Sequence, residues 1–121
     1  MNLNLIFKSL AVTMLMSVSA GAFAHASLQT ASPKSGEVLD KAPKEIVLHF
    51  NEALEAAFSK ITLKDHQGVM VKTEKATVDK AHPETLRLVT PKLGVGTYQV
   101  QWSTMTQDGH RAKNQYSFQV K

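Results

Sequence analysis

The stretch Thr97-Tyr98-Gln99-Val100-Gln101-Trp102-Ser103 carries the clearest pattern in the chain. Its apolar and polar residues alternate at successive positions, which is the period of a β-strand with one buried and one solvated face. The pattern therefore predicts a strand whose two aromatic residues and valine enter a core, while its glutamines face solvent. A Gly-Val-Gly turn at 94–96 introduces this strand.

Shorter stretches with strand character lie on both sides of it. They cover residues 27–30, 45–50, 60–64, 69–71, 73–78 and 85–90, and a last strand carries Tyr116, Phe118 and Val120. Segment 51–58 is too short for a stable helix, and we interpret it as a loop with at most one helical turn, held by Leu54 and Phe58. Seven or eight short strands between turn signals predict an all-β fold, an antiparallel β-sandwich.

The first 24 residues have the features of a secretory signal peptide. Lys8 precedes an apolar run from Leu10 to Val18, which is shorter than the roughly 20 residues that cross a bilayer. Ala22-Phe23-Ala24 fits the small-x-small cleavage pattern and would leave His25 as the new N-terminus. Cleavage after Ala20 or Ala22 also fits that pattern. We expect an exported protein whose residues 25–121 form one domain.

Composition narrows the classes of function. The chain has no cysteine, so a domain of this size is held by packing alone and offers no thiolate for redox chemistry. Removal of Lys8 with the signal peptide lowers the formal charge from +4 to +3. Positive and negative residues are interspersed, which argues against nucleic-acid binding. We find no C-terminal membrane anchor and expect a monomer.

The polar turn Asp108-Gly109-His110 presents a carboxylate and an imidazole two residues apart. If the opening strand runs antiparallel to 45–50 and 97–103, its start lies at the pole of the sandwich where those strands end. That pole would then hold His25, the loop with Glu52, and the turn with Asp108 and His110. The same triplet also occurs in ordinary hairpin turns.

These four residues form a plausible set of metal ligands. The α-amine and imidazole Nδ1 of an N-terminal histidine can chelate one metal ion, and His110 would add a third nitrogen. Asp108 or Glu52 could supply oxygen. Such a nitrogen and oxygen set suits Cu(II) best, and zinc is the competing metal. Met70 and Met105, well separated in the sequence, do not suggest a Cu(I) site.

Five motifs in order resemble the CopC family of periplasmic copper-binding proteins, including its short YobA-like forms. They are His25-Ala26-Ser27-Leu28, Ser32-Pro33, Leu48-His49-Phe50-Asn51-Glu52, the strand from Gly96 to Trp102, and Asp108-Gly109-His110. The resemblance covers essentially all of residues 25–121. It implies an immunoglobulin-like β-sandwich or Greek-key barrel that binds Cu(II) in copper homeostasis or resistance.

By position, the resemblance implies that His25 is the N-terminal ligand and His110 the second histidine. Asp108 matches the acidic residue near the copper, and Glu52 matches the glutamate after the second strand. The methionine-rich Cu(I) loop of some members would fall at 62–72, where this chain has only Met70. A separate CopD-type membrane protein is the partner that the resemblance implies.

Two other functions compete with a non-enzymatic copper carrier or buffer. Two histidines, one of them N-terminal, also form the copper site of oxidative polysaccharide-cleaving enzymes on a β-sandwich. The two acidic residues here would crowd such a copper, and most aromatic residues are patterned inward. The second alternative is an immunoglobulin-like interaction module with incidental metal binding. His49, His66 and His82 are predicted to be structural or solvent-exposed rather than ligands.

Overall fold

A computed structural model describes the chain from Ala26 to Lys121. The predicted signal peptide and His25 lie outside the described residues. The strands are β1 (Leu28–Ser32), β2 (Val38–Leu39), β3 (Glu45–Phe50), β4 (Lys60–Lys64), β5 (Thr77–Val78), β6 (Thr85–Val89), β7 (Gly96–Met105) and β8 (Arg111–Val120). One 3₁₀ turn spans Ala56–Phe58. No helix between Ala26 and Lys121 is long and apolar enough to cross a membrane.

The eight strands form two four-stranded sheets, in the orders β1-β3-β6-β5 and β2-β8-β7-β4. All neighbours pair antiparallel except β2 and β8, which pair parallel through Val38 and Gln119. The predicted all-β sandwich is confirmed, with this one parallel pair as a departure from a purely antiparallel arrangement. Strand β2 has only two residues and therefore too little sequence to show a periodic pattern.

The core lies between the two sheets and follows the alternation of the strands. In β7, Tyr98, Val100 and Trp102 are buried, as the sequence predicts. The Trp102 ring makes an edge contact with Phe50 at 6.2 Å and a tilted contact with Tyr116 at 6.1 Å between ring centroids. The contact with Phe50 of β3 joins the two sheets, whereas the contact with Tyr116 links β7 to β8 within one sheet.

Strand β1 interrupts the alternation. Leu28 pairs with Phe50 but Thr30 pairs with His49, so the register shifts by one residue between them. A β-bulge of this kind bends a strand and redirects its side chains. As a result Leu28 and Ala31, three residues apart, both pack against the core.

Two segments differ from the sequence interpretation. Leu54 is buried and forms an isolated bridge with Thr106, whereas Phe58 is 57% exposed. The predicted loop with one helical turn and a buried Leu54 is confirmed. The prediction that Phe58 also holds the loop is wrong, because the turn begins only at Ala56 and Leu54 lies in an extended bridge outside it. The predicted strands at 69–71 and 73–78 are reduced to a bridge between Lys64 and Met70 and to the two residues of β5.

Candidate metal centre

The turn between β7 and β8 is closed by its own backbone. The Thr106 N–H donates to the His110 carbonyl at 2.9 Å, and the Gly109 N–H donates to the Thr106 carbonyl at 2.9 Å. Gly109 has a φ of 89°, in the left-handed region that glycine adopts without steric cost. The turn therefore has a defined shape and presents one carboxylate, that of Asp108, and one imidazole, that of His110.

Asp108 and His110 are brought together as the sequence predicts. Asp108 Oδ2 lies 3.4 Å from His110 Nδ1, and their side chains are 57% and 38% exposed. The Thr106 hydroxyl donates a hydrogen bond to the Asp108 carboxylate and accepts one of 3.1 Å from the His110 N–H. That hydroxyl bond, together with the nearby His110, holds the pKa of Asp108 below its usual value. The carboxylate is therefore anionic at neutral pH.

The start of the described chain is held at the same pole. Ala26 is buried in the core, although it is the first described residue. It lines a surface cleft of about 470 Å³ together with Trp102 and Ala112. Because Ala112 pairs with Thr104, two residues before Thr106, Ala26 lies beside the strands that carry the turn.

Two hydrogen bonds fix Ser27 to the loop after β3. The Ser27 N–H donates to Asn51 Oδ1 at 2.7 Å, and the Asn51 N–H donates to the Ser27 carbonyl at 3.1 Å. The Glu55 N–H then donates to the Met105 carbonyl at 2.8 Å. The start of β1, the loop after β3 and the end of β7 thus meet at one pole, as the assumed topology requires.

Glu52 belongs to this loop and is half-buried. Across residues 26–121, however, no group of three or more histidine, aspartate or glutamate side chains is close enough to hold a metal ion. Glu52 therefore does not complete a three-ligand group with Asp108 and His110. Its role as a ligand stays a prediction, as does that of His25.

The remaining histidines have other surroundings. His49 is exposed on the outer face of β3, with its Nδ1 2.8 Å from the Thr85 hydroxyl, which fits the predicted structural role. His66 and His82 are exposed, as predicted. The two methionines of the described chain are far apart, because Lys64, beside Met70, pairs with Gln99. Gln99 precedes Met105 by six residues of β7, or about 20 Å.

Two residues with positioning roles were not among the predicted site residues. The Thr106 hydroxyl binds the Asp108 carboxylate and the backbone N–H of His110, and Asn51 binds the backbone of Ser27. Serine, threonine and asparagine side chains often bond nearby backbone groups, and the Thr-x-Asp spacing was a usable local signal. The contact between Ser27 and Asn51 joins residues 24 positions apart, so no local pattern could indicate it.

This fold and the groups gathered at its pole define a class, the small β-sandwiches with a candidate metal site built from loops. A profile of the CopC domain matches residues 28–121. The chain belongs to the CopC family.

Relatives and a solved structure agree with this assignment. Protein YobA of Escherichia coli (strain K12) is 31% identical over 116 residues, which cover 93% of this chain and 92% of that protein. Copper resistance protein C of Xanthomonas campestris pv. juglandis is 34% identical, with 95% of this chain and 98% of the relative covered. The crystal structure of CopC from Methylosinus trichosporium OB3b superimposes with a TM-score of 0.76 at 34% identity, covering 80% of this chain and 94% of that one.

Proposed function

We propose that this protein is a periplasmic Cu(II)-binding protein that acts as a copper carrier or buffer in copper homeostasis or resistance. In this proposal the signal peptide, residues 1–24, is removed on export. Residues 25–121 then bind one Cu(II) ion with His25 and the turn that carries Asp108 and His110. Membership of a family with relatives named copper resistance protein C supports the choice of metal.

The position of Ala26 carries the proposal. Ala26 is buried beside the strands that lead into the turn. Consecutive Cα atoms are about 3.8 Å apart, so the residue before Ala26 starts from this pole of the sandwich. In this proposal an α-amine and an imidazole introduced there share the pole with Asp108 and His110, and with Glu52 of the loop bonded to Ser27.

The donor set favours Cu(II) over a softer or harder ion. Two imidazoles and an amine are nitrogen ligands, and the ionised Asp108 adds oxygen and negative charge. Tetragonal sites with nitrogen and oxygen ligands suit Cu(II), whereas Cu(I) prefers thioether or thiolate. In this proposal Glu52 supplies a further oxygen, in competition with water.

Binding is expected to depend on pH because protons compete for the same nitrogens. An α-amine has an ordinary pKa of about 7.7–8.0 and a histidine one of about 6.5. The apparent affinity should therefore fall about tenfold per pH unit just below pH 7.5 and more steeply below pH 6.

A Cu(II) titration tests the proposal on two forms of the protein, one beginning at His25 and one with a single extra residue before it. Trp102 is the only tryptophan in the sequence and lines the same cleft as Ala26. Cu(II) bound at this pole should therefore quench its fluorescence, which measures binding. Electron paramagnetic resonance then identifies the ligand atoms. We expect a 1:1 nitrogen-rich site in the first form and a loss of at least a hundredfold in affinity in the second.

Equal binding by both forms would contradict the role of the terminal amine. Substitution of His110 by alanine tests the contribution of the turn alone, because it leaves the proposed chelate of α-amine and imidazole at His25 intact.

A third measurement tests whether the protein is a carrier or an enzyme. Oxygen consumption by the copper-loaded protein with a reductant would indicate an oxidative enzyme instead of a carrier. Transfer of copper to a separate CopD-type membrane protein is the partner reaction that we propose.

A further inference from the structure

The outer face of the sheet formed by β4, β7 and β8 carries four cationic side chains. Paired residues on neighbouring antiparallel strands share a face of the sheet. Lys60 pairs with Ser103 and Ser103 with Lys113, so two lysines flank a serine in one row. Lys64 lies four residues along β4, and Arg111 begins β8 opposite Met105. We call this surface the cationic face.

The rest of the cationic face is neutral. The other outward positions of the three strands hold only neutral side chains: Thr62, Thr97, Gln99, Gln101, Ser103, Met105, Gln115, Ser117 and Gln119. No ion pair of residues 26–121 involves Lys60, Lys64, Arg111 or Lys113. Within the described part of the chain, none of these four side chains therefore has a carboxylate at ion-pair distance.

The outer face of the other sheet is built differently. Its single arginine, Arg87, lies 3.2 Å from Glu45 and 3.5 Å from Asp79. Each of these distances joins a guanidinium nitrogen and a carboxylate oxygen. Positive charge is balanced within that sheet, so the unbalanced charge of the cationic face is a local property rather than a general feature of the surface.

The cationic face is concave at its centre. Lys60, Lys64 and Lys113 border a cleft of about 620 Å³ whose floor includes Gln101 and Gln115. Gln101 Nε2 donates to Gln115 Oε1 at 3.0 Å, which leaves amide groups of both polarities at the surface. Met70, 59% exposed, lines one side of the cleft.

We propose that the cationic face binds an acidic, extended segment of a partner protein. Strands lie 4.7–4.9 Å apart, so the backbones of Lys60 and Lys113 are separated by about 10 Å, and those of Lys60 and Lys64 by about 13 Å. Successive side chains on one side of an extended peptide repeat about every 7 Å. Several carboxylates of such a segment can therefore approach the lysines while its peptide groups bond the glutamine amides.

Other anionic surfaces fit the cationic face less well. A lipid surface is usually engaged by apolar side chains that project into it, and here the lysines surround a recess. Single-stranded nucleic acid is usually bound on several exposed aromatic rings. The outward positions of these three strands hold none, and the exposed Phe58 ring beside Arg111 is a single ring at the border of the face. An acidic protein segment uses both the charge and the central amides.

The cationic face lies next to the candidate metal centre. Met105 and Arg111 form the last pair of β7 and β8 before the turn with Asp108 and His110. A protein segment bound along this sheet therefore ends beside the candidate metal centre. The charge and shape of the cationic face do not depend on copper, so binding to it is measured on metal-free protein.

The experiment measures binding of an eight-residue peptide in which glutamate alternates with serine, with the glutamine version as its control. Backbone amide shifts of the metal-free protein are recorded by NMR during the titration. The test variant is Lys60→Glu/Lys113→Glu, with Lys60→Gln/Lys113→Gln as a milder form. The matched control is Lys41→Glu/Lys92→Glu, which changes the same charge at two exposed positions outside the three strands.

We expect shifts concentrated in β4, β7 and β8 and an affinity that decreases about tenfold in the test variant. The control variant should stay within about twofold. Binding should also weaken strongly between 0.1 M and 1 M salt, where the Debye length falls from about 10 Å to about 3 Å. Equal binding of the glutamine peptide, or shifts outside the three strands, would overturn the proposal. Binding of phosphatidylglycerol vesicles without binding of the peptide would assign the face to lipid instead.

Discussion

Ser27 and Asn51 hold each other through two reciprocal hydrogen bonds. The Ser27 N–H binds the Asn51 side-chain oxygen at 2.7 Å, and the Asn51 N–H binds the Ser27 carbonyl at 3.1 Å. This pair fixes the first residues of β1 to the loop that follows β3. In the proposed copper site, the position of His25 depends on this attachment.

Asn51→Ala is expected to weaken Cu(II) binding without unfolding the protein. The Ser27 N–H loses its side-chain acceptor, but Ser27 is exposed and water replaces the bond, so stability should change by less than about 1 kcal/mol. Cu(II) affinity should fall about tenfold because the N-terminus is less well positioned. The matched control is Gln29→Ala, which removes the 3.0 Å bond to the Ser27 side chain. If both variants bind copper equally, Asn51 has no positioning role.

Thr106→Val tests the centre of the turn. Valine preserves the shape of threonine but cannot accept the hydrogen bond of the His110 N–H, so we expect a loss of about 1 kcal/mol in the free energy of unfolding. Chemical denaturation measures this loss. The matched control is Thr104→Val on the same buried face of β7, where the hydroxyl makes only one long bond of 3.5 Å to the Ala112 carbonyl. A larger loss in the control would contradict the role of Thr106.

The same variant has an effect on pH dependence. The Thr106 hydroxyl helps to keep the pKa of Asp108 below its ordinary value of 3.8. A carboxyl whose pKa is lower in the folded state stabilises the fold above its ordinary pKa, and this contribution is lost as the pH falls. Carbon NMR of the Asp108 carboxyl should therefore show a higher pKa in Thr106→Val. The stability difference between the two proteins should narrow below about pH 4.

Tyr116→Phe is expected to leave stability unchanged or to raise it by up to about 1 kcal/mol. The buried Tyr116 hydroxyl has no hydrogen-bond partner among residues 26–121. Tyr98→Phe is the matched control, because the Tyr98 hydroxyl donates a 2.8 Å bond to the Gly94 carbonyl and its loss should cost about 1 kcal/mol. The unfolding temperature of Tyr116→Phe should therefore stay unchanged or rise, and that of Tyr98→Phe should fall.

Tyr116 also predicts a change at alkaline pH. Burial, with a smaller contribution from Glu37, raises the pKa of its hydroxyl far above the ordinary value of 10.0. A group with a raised pKa in the folded state loses its stabilising contribution as the pH rises above its unfolded pKa. The protein should therefore lose stability above about pH 10, and Tyr116→Phe should lose less. Identical alkaline profiles would exclude a contribution from this residue.

The strands were predictable wherever one face is buried, because alternation then repeats along the sequence. The buried residues of β7 are an example. Strand β2 could not be predicted, since two residues carry no period and its partner, Gln119, lies 81 positions away from Val38. The prediction for Phe58 was wrong for another reason. Its exposure follows from the extended path at Leu54, which a bridge to Thr106 determines.

The predicted metal ligands of the turn and the cationic face differ in the same respect. Asp108 and His110 are neighbours in the sequence, so their proximity of 3.4 Å was accessible from the pattern of the turn. The cationic face was not predictable, because Lys60 and Lys113 are far apart in the sequence and no local pattern connects them. Only the pairing of both with Ser103 brings them into one row.

Gly109→Ala tests whether the shape of the turn matters for metal binding. Alanine at a φ of 89° is strained, although its Cβ would meet no atom within 4 Å, so the cost lies in the backbone and should be about 1 kcal/mol of stability. Relief of that strain would rotate the peptide groups between Asp108 and His110 and separate their side chains. We therefore expect Cu(II) affinity to fall about tenfold in a titration followed by Trp102 fluorescence. Gly94→Ala is the matched control, because Gly94 also has open space around it and no positive φ. If Gly109→Ala binds copper as tightly as Gly94→Ala, the two side chains of the turn do not need their present arrangement to hold the metal.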